Sequence, residues 1–217
     1  MSEVKKEFLE AAIKKAEESK PEREAMQRKK VHPNVGCVIV KNNKIIASGS
    51  RNELKDGDHA ESTALRSCSE PNLKDAILIT TLEPCIYRKH NWLSGEHRMS
   101  CVQLIQHFGI RKVVIGMIDP NPEVRGRGIF ALEERGIEVE CFPSELRSRI
   151  YTINKDYITF HLLNEQEKII KGILPIYDFI LKTKEEFLKY SLSPDQIKMI
   201  FNIELELLRR EVSKLLL

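Results

Sequence analysis

Residues 4 to 18 repeat apolar positions at helical spacing, with Val4, Phe8, Ala11, Ala12 and Ala16 on one face, and Pro21 to Lys30 follows as a strongly charged continuation or linker. Beyond it the period shortens. Val35 to Val40 and Lys44 to Ser48 read as two strands joined by Asn42-Asn43, a pair that tolerates the positive φ angles of a tight hairpin turn. A loop ending in Lys55-Asp56-Gly57-Asp58 leads to a helix from about His59 to Ser67, and Ala76 to Thr81 is a continuous apolar strand. Leu82 to Cys101 is irregular. A helix to about Phe108, a strand over Lys112 to Ile118, a loop over Asp119 to Gly128, a helix to Arg135 and a strand over Ile137 to Phe142 come next. This alternation predicts a three-layer α/β domain whose sheet is parallel at its later strands. After Pro143 the pattern is helical almost throughout, with breaks near Gly172 to Pro175 and at Ser191 to Pro194. The expected division is therefore a domain over 1–160 and a C-terminal helical extension over 161–217.

Composition narrows the class. The 217 residues are 41% hydrophobic and 31% charged, which fits a globular chain and excludes a disordered one. The longest apolar runs, Val35 to Val40 and Val113 to Ile118, are far too short to cross a bilayer, so no membrane partner is expected. The N-terminus lacks the apolar centre of a signal peptide, which places the protein in the cytoplasm. Five cysteines are an odd number without secretory context, so metal ligands and buried thiols are expected in place of disulfides. Cys37, Cys68 and Cys141 read as structural. A net charge of +3 permits an anionic substrate but does not imply nucleic acid, which usually draws a concentrated basic face.

Candidate chemistry lies in three separated fragments: His59-Ala60-Glu61, Thr81-Leu82-Glu83-Pro84-Cys85, and Cys101. One imidazole nitrogen and two thiolate sulfurs suit a tetrahedral Zn2+ that keeps its fourth position for water, whose pKa the metal lowers towards neutrality. His90 and His97 remain alternatives to Cys101 as third ligand. Glu61, two residues after His59, is placed to move protons without ligating the metal. The order H-x-E then P-C matches the signature of zinc deaminases, except that fifteen residues separate Cys85 from Cys101 where the signature has two.

The segments HPNVGCVIV (32–40), GDHAESTAL (57–65), TLEPC (81–85), GIRKVVIGMIDPNPEVRGRGI (109–129) and RGIEVE (135–140) together resemble the deaminase domain of the bifunctional riboflavin-biosynthesis deaminase/reductase family, over about residues 32 to 160. The resemblance implies a cytidine-deaminase-like α/β/α fold with a mixed central sheet, the ligand set His59, Cys85 and Cys101, Glu61 as proton shuttle, and Asn34 as a hydrogen-bonding contact to substrate. Arg51 stands where the family has a histidine. IYRKHNWLSGEHRMS (86–100) replaces a shorter Gly-Arg-Thr-Pro-Pro stretch, and helices are expected in place of the reductase domain.

Arg125 and Arg127, set among glycines before a helix, are candidates to hold a phosphate, and Tyr87 and Trp92 to stack on a base. The expected substrate contacts are Asn34, Arg51, Ala60, Asp119, Asn121, Arg125 and Arg127. The leading functional expectation is hydrolytic deamination of an aminopyrimidine nucleotide by a homo-oligomer. One alternative is a cytidine or adenosine deaminase acting on nucleotides or nucleic acid, with 86–100 as a substrate gate. Another is a non-catalytic nucleotide-sensing or assembly protein whose C-terminal helices bind a partner.

Overall fold

A computed structural model describes residues 4–21, 31–88 and 99–164. The chain divides into a unit of Met1–Thr159 and a second of Phe160–Leu217, and everything below concerns the first. Helix α1 is Lys6–Glu17 and buries Phe8, Leu9, Ala12, Ile13 and Ala16. Strands β1 (Gly36–Lys41) and β2 (Lys44–Ser50) form the expected hairpin, with Asn42 and Asn43 at φ 51° and 59°. Then come α2 (Ala60–Ser67), β3 (Ile77–Thr80), α3 (Cys101–His107), β4 (Lys112–Ile115), α4 (Arg127–Glu133), β5 (Glu138–Cys141) and α5 (Ser144–Ile153).

The five strands lie in the order β2-β1-β3-β4-β5. β1 is antiparallel to both neighbours, and β3, β4 and β5 run parallel. The mixed sheet with a parallel later half agrees with the expectation from sequence. Its central strands ILIT and KVVI are almost wholly buried because layers cover both faces, whereas the edge strand EVEC stays largely polar.

Two glycines show which helices cover which face. A Cβ on Gly36 would overlap the backbone of α1 at Ala12 and Ala16, and one on Gly49 would overlap α2 at Ala60 and Ala64. Gly49 pairs with Cys37, the residue after Gly36, so the two close approaches fall on opposite faces. α1, with α5 against it, forms one outer layer; α2, contacting α3, which contacts α4, forms the other. The core between them includes Ile39, Leu65, Leu78, Ile79, Ile105, Val113 and Ile115.

Several boundaries move inward. β4 ends at Ile115, three residues before the apolar run does, because its partner β3 ends at Thr80; the Gly116 N–H makes the last bond, to the Thr80 carbonyl. The helix expected from His59 starts at Ala60, with His59 extended at the cap position. Among the described residues, no helix is long and apolar enough to cross a membrane.

Candidate metal centre

The two helices of one layer bring their N-termini together at the end of β3. His59 precedes α2, and Cys101 opens α3. Ser100 caps α3 in a complete capping box: its hydroxyl accepts from Gln103 N–H, and the Gln103 side chain accepts from Ser100 N–H. Cys85 arrives on the segment leaving β3. The Val102 N–H donates to the Cys85 carbonyl, which closes the fifteen-residue excursion between the cysteines.

His59 Nδ1 lies 3.3 Å from Cys101 Sγ and 3.4 Å from Cys85 Sγ. The three donor atoms sit within 4.8 Å of one another. Zinc bonds of roughly 2.0–2.3 Å to nitrogen and sulfur make a tetrahedron with an N···S edge of about 3.5 Å, so the donors fit a zinc ion in chemistry and spacing. His90 and His97, the alternative third ligands, and Trp92 lie outside the described residues.

Electrostatics favour a thiolate here. The Cys101 thiol, His59 and the Cys101 N–H, 3.5 Å from its sulfur, hold the Cys85 thiol well below the ordinary range, while hydrogen bonding to Cys85 and burial hold Cys101 above it. Glu61 is buried in the first turn of α2, and burial raises its carboxyl above the usual value. Arg88 donates to the Gly57 carbonyl in the loop before His59, and its charge acts on Cys101.

The other expected contacts are held by varied partners. Asn34 is tied to the end of α5: its N–H donates to Asn154 Oδ1 at 2.8 Å and its amide to the Ile153 carbonyl at 3.3 Å. Arg51 is buried with a guanidinium nitrogen 3.4 Å from His32 Nδ1. Ala60 is fully buried at the start of α2. Asp119 accepts from Tyr157 OH at 3.0 Å and from Asn121 N–H at 2.8 Å, and burial pushes its carboxyl up to about 6. The Asn121 side chain accepts from Glu123 N–H, and the Arg125 guanidinium folds back onto the Pro120 carbonyl. Arg127 and Tyr87 are exposed.

Sequence reasoning passed over Glu83. It is 2% exposed and accepts from the backbone N–H groups of Asp119, Gly126, Gly128 and Ile129. The available signal was a carboxylate inside the otherwise apolar TLEPC, next to a ligand. Tyr157 and Asn154 carried none, because both lie in a stretch that reads only as amphipathic helix.

Comparison with known proteins follows the same lines. Residues 2–117 match the family model described as the cytidine and deoxycytidylate deaminase zinc-binding region. The chain belongs to that family. It is 42% identical over 127 residues to the riboflavin biosynthesis protein RibD of Escherichia coli, a match covering 58% of this chain and 32% of that protein. It is 39% identical over 120 residues to the diaminohydroxyphosphoribosylamino-pyrimidine deaminase of Buchnera aphidicola, covering 55% of this chain and 76% of the relative. The crystal structure of a diaminohydroxyphosphoribosylaminopyrimidine deaminase/5-amino-6-(5-phosphoribosylamino)uracil reductase from Thermotoga maritima superposes with a TM-score of 0.60 at 32% identity, over 73% of this chain and 41% of that one. The chain thus spans about a third of the RibD relative's length.

Proposed function

We propose that this protein deaminates an aminopyrimidine nucleotide of the kind named for its Buchnera relative, exchanging a ring amine for a carbonyl oxygen with release of ammonia. The observation that carries the reading is the convergence of His59 Nδ1, Cys85 Sγ and Cys101 Sγ within 4.8 Å, with buried Glu61 two residues after His59. His59, Cys85 and Cys101 hold zinc, which when bound supplies the Lewis acidity that makes water a competent nucleophile near neutral pH. Glu61 accepts one proton from the attacking water and delivers it to a ring nitrogen, then takes the second proton from the same oxygen, now bonded to the ring carbon, and passes it to the departing amine as the C–N bond breaks and the carbonyl forms.

Asn34, Arg51, Ala60, Asp119 and Asn121 form the substrate walls in this reading, and Arg125 and Arg127 the anchor for a phosphate. The arginine at 51, where the family has a histidine, supports a base or sugar contact that differs in detail from the relatives'. Five free cysteines fit a reducing, cytoplasmic setting. The exposed side chains of Ile118 and Phe130 support assembly with further copies of the chain.

The test is ammonia release from a panel comprising the diaminohydroxyphosphoribosylamino-pyrimidine, its dephosphorylated riboside, deoxycytidylate, and single-stranded DNA and RNA. Turnover of the first above the others is expected. Preference for deoxycytidylate or a polynucleotide would replace the substrate assignment, and no ammonia from any of them by zinc-replete protein would end the catalytic reading.

A further inference from the structure

The segment after β3 that carries Cys85 also carries the group that shapes the 119–129 loop, whose last three residues are the first turn of α4. Glu83 Oε2 accepts from Asp119 N–H at 3.1 Å and Gly126 N–H at 3.0 Å; Oε1 accepts from Gly128 N–H at 2.7 Å and Ile129 N–H at 3.3 Å. Gly126, the cap residue of α4, has a left-handed backbone and no capping side chain; the Arg127 N–H turns back to the Val124 carbonyl, and the next two donors, on Gly128 and Ile129, need an acceptor from elsewhere. The Glu83 carboxylate supplies it from across the sequence, 45 residues away at Gly128. The approach is tight. A Cβ on Gly128 would overlap the Pro84 carbonyl oxygen, so the loop closes directly onto the residue before Cys85.

The same grip holds the loop at both ends. Asp119 is at its start, where the carboxyl meets Tyr157, and Gly128 at its finish. Between them lie Asn121, Arg125 and Arg127. Each oxygen serves two donors, and only a carboxylate offers two such acceptors. Glutamine would turn an N–H2 group towards two backbone N–H groups that already point inward.

We propose that Glu83 is a positioning residue for substrate binding: it locks the 119–129 loop to the metal corner, so that the loop's arginines meet the anionic end of a substrate whose base reaches Glu61. This rests on the aminopyrimidine-nucleotide reading above. Loosening the lock removes contacts to the phosphate and leaves the metal donors in place, so the loss falls on KM more than on kcat. The preference for nucleotide over riboside then narrows.

Glu83→Gln tests it by three readouts: zinc content, amide exchange at the four donors, and kcat and KM for the nucleotide and its riboside. Zinc retained, faster exchange at Asp119, Gly126, Gly128 and Ile129, and a fall of about tenfold to hundredfold in the nucleotide-to-riboside preference through KM are expected, as for the loss of one or two hydrogen bonds to a charged group. Unchanged exchange at those amides overturns the proposal whatever the substrate proves to be. So does an equal loss on nucleotide and riboside, or loss of zinc, either of which puts the role of Glu83 at the metal. If the variant does not fold, Arg125→Ala/Arg127→Ala, on exposed positions of the loop, decides: an undiminished nucleotide preference overturns the assignment. Wild-type protein that turns over neither compound refutes the functional reading separately, and amide exchange then still decides whether Glu83 anchors the loop.

Discussion

The metal corner and the 119–129 loop meet at Glu83-Pro84-Cys85, yet they are built by different means. At the metal corner two donors stand at the starts of regular helices, where local rules place them, and the third, Cys85, lies on the short segment that leaves β3. The Ser100–Gln103 box starts α3 at Cys101, and β3 delivers Cys85. The loop has little such support: turns hold Asn121 and Arg125 locally, but its entry and exit are fixed by one buried carboxylate from another element. Rigid secondary structure thus carries the part that must hold a metal to tenths of an ångström, and an adaptable loop carries the part that meets the variable end of a substrate.

Removing a metal donor should break this contrast most severely. Cys101→Ala is expected to reduce zinc from about one ion per chain to a small fraction and to abolish ammonia release, because two donors hold zinc far less tightly than three. Elemental analysis of protein purified without added metal checks it, and retention of zinc would point to His90 or His97 as the third ligand.

Glu61→Ala separates proton transfer from metal binding. Zinc content should stay near that of the wild type while turnover falls by roughly a hundredfold to ten-thousandfold, the usual cost of a positioned acid/base group. Comparable turnover would mean that another group moves the protons.

Asp119 sharpens the comparison by pH. Its folded carboxyl titrates near 6 against an ordinary 3.8, so the folded state binds the proton more tightly than the unfolded chain does. Stability is therefore lost as pH rises from about 4 to 6, and the full penalty is present above 6. Asp119→Asn, which keeps an acceptor for Tyr157 and Asn121, should gain on the wild type across that window by up to about 3 kcal/mol and run parallel to it above. Denaturant midpoints between pH 4.5 and 7.5 measure this, and parallel curves throughout would mean that Asp119 is not held protonated.

The smallest effect concerns the helix start at the metal corner. Ser100→Ala deletes half of the capping box and should lower stability by about 1 kcal/mol, with zinc still bound because Val102 N–H and the core of α3 keep Cys101 in place. Calorimetry with metal analysis reads both. A large loss of zinc would make the cap part of the metal site.

Much of the site chemistry and the parallel direction of the sheet's later strands were legible along the chain. HAE and PC are short-range patterns, and donor chemistry follows from residue type. The apolar runs of β3 and β4 announce strands buried on both faces, and Asn42-Asn43 announces its turn. Ser100-x-x-Gln103 is equally readable as a helix start. What remained depends on contacts between residues far apart in the chain, which no local period encodes. Across the fifteen residues that follow Cys85, nothing in the spacing says that the chain returns to it; the Val102 N–H on the Cys85 carbonyl does. Asn34, which reads as a turn residue beside Pro33, is held 120 positions away by Asn154. Glu83 is legible as a carboxylate in an apolar stretch, but its four donors belong to a loop that begins 36 residues later. Hydrophobic period and ligand type are properties of segments, so the sequence alone determined the elements and the metal chemistry. Which segments share a corner depends on how the layers pack, and only the tertiary structure decided that.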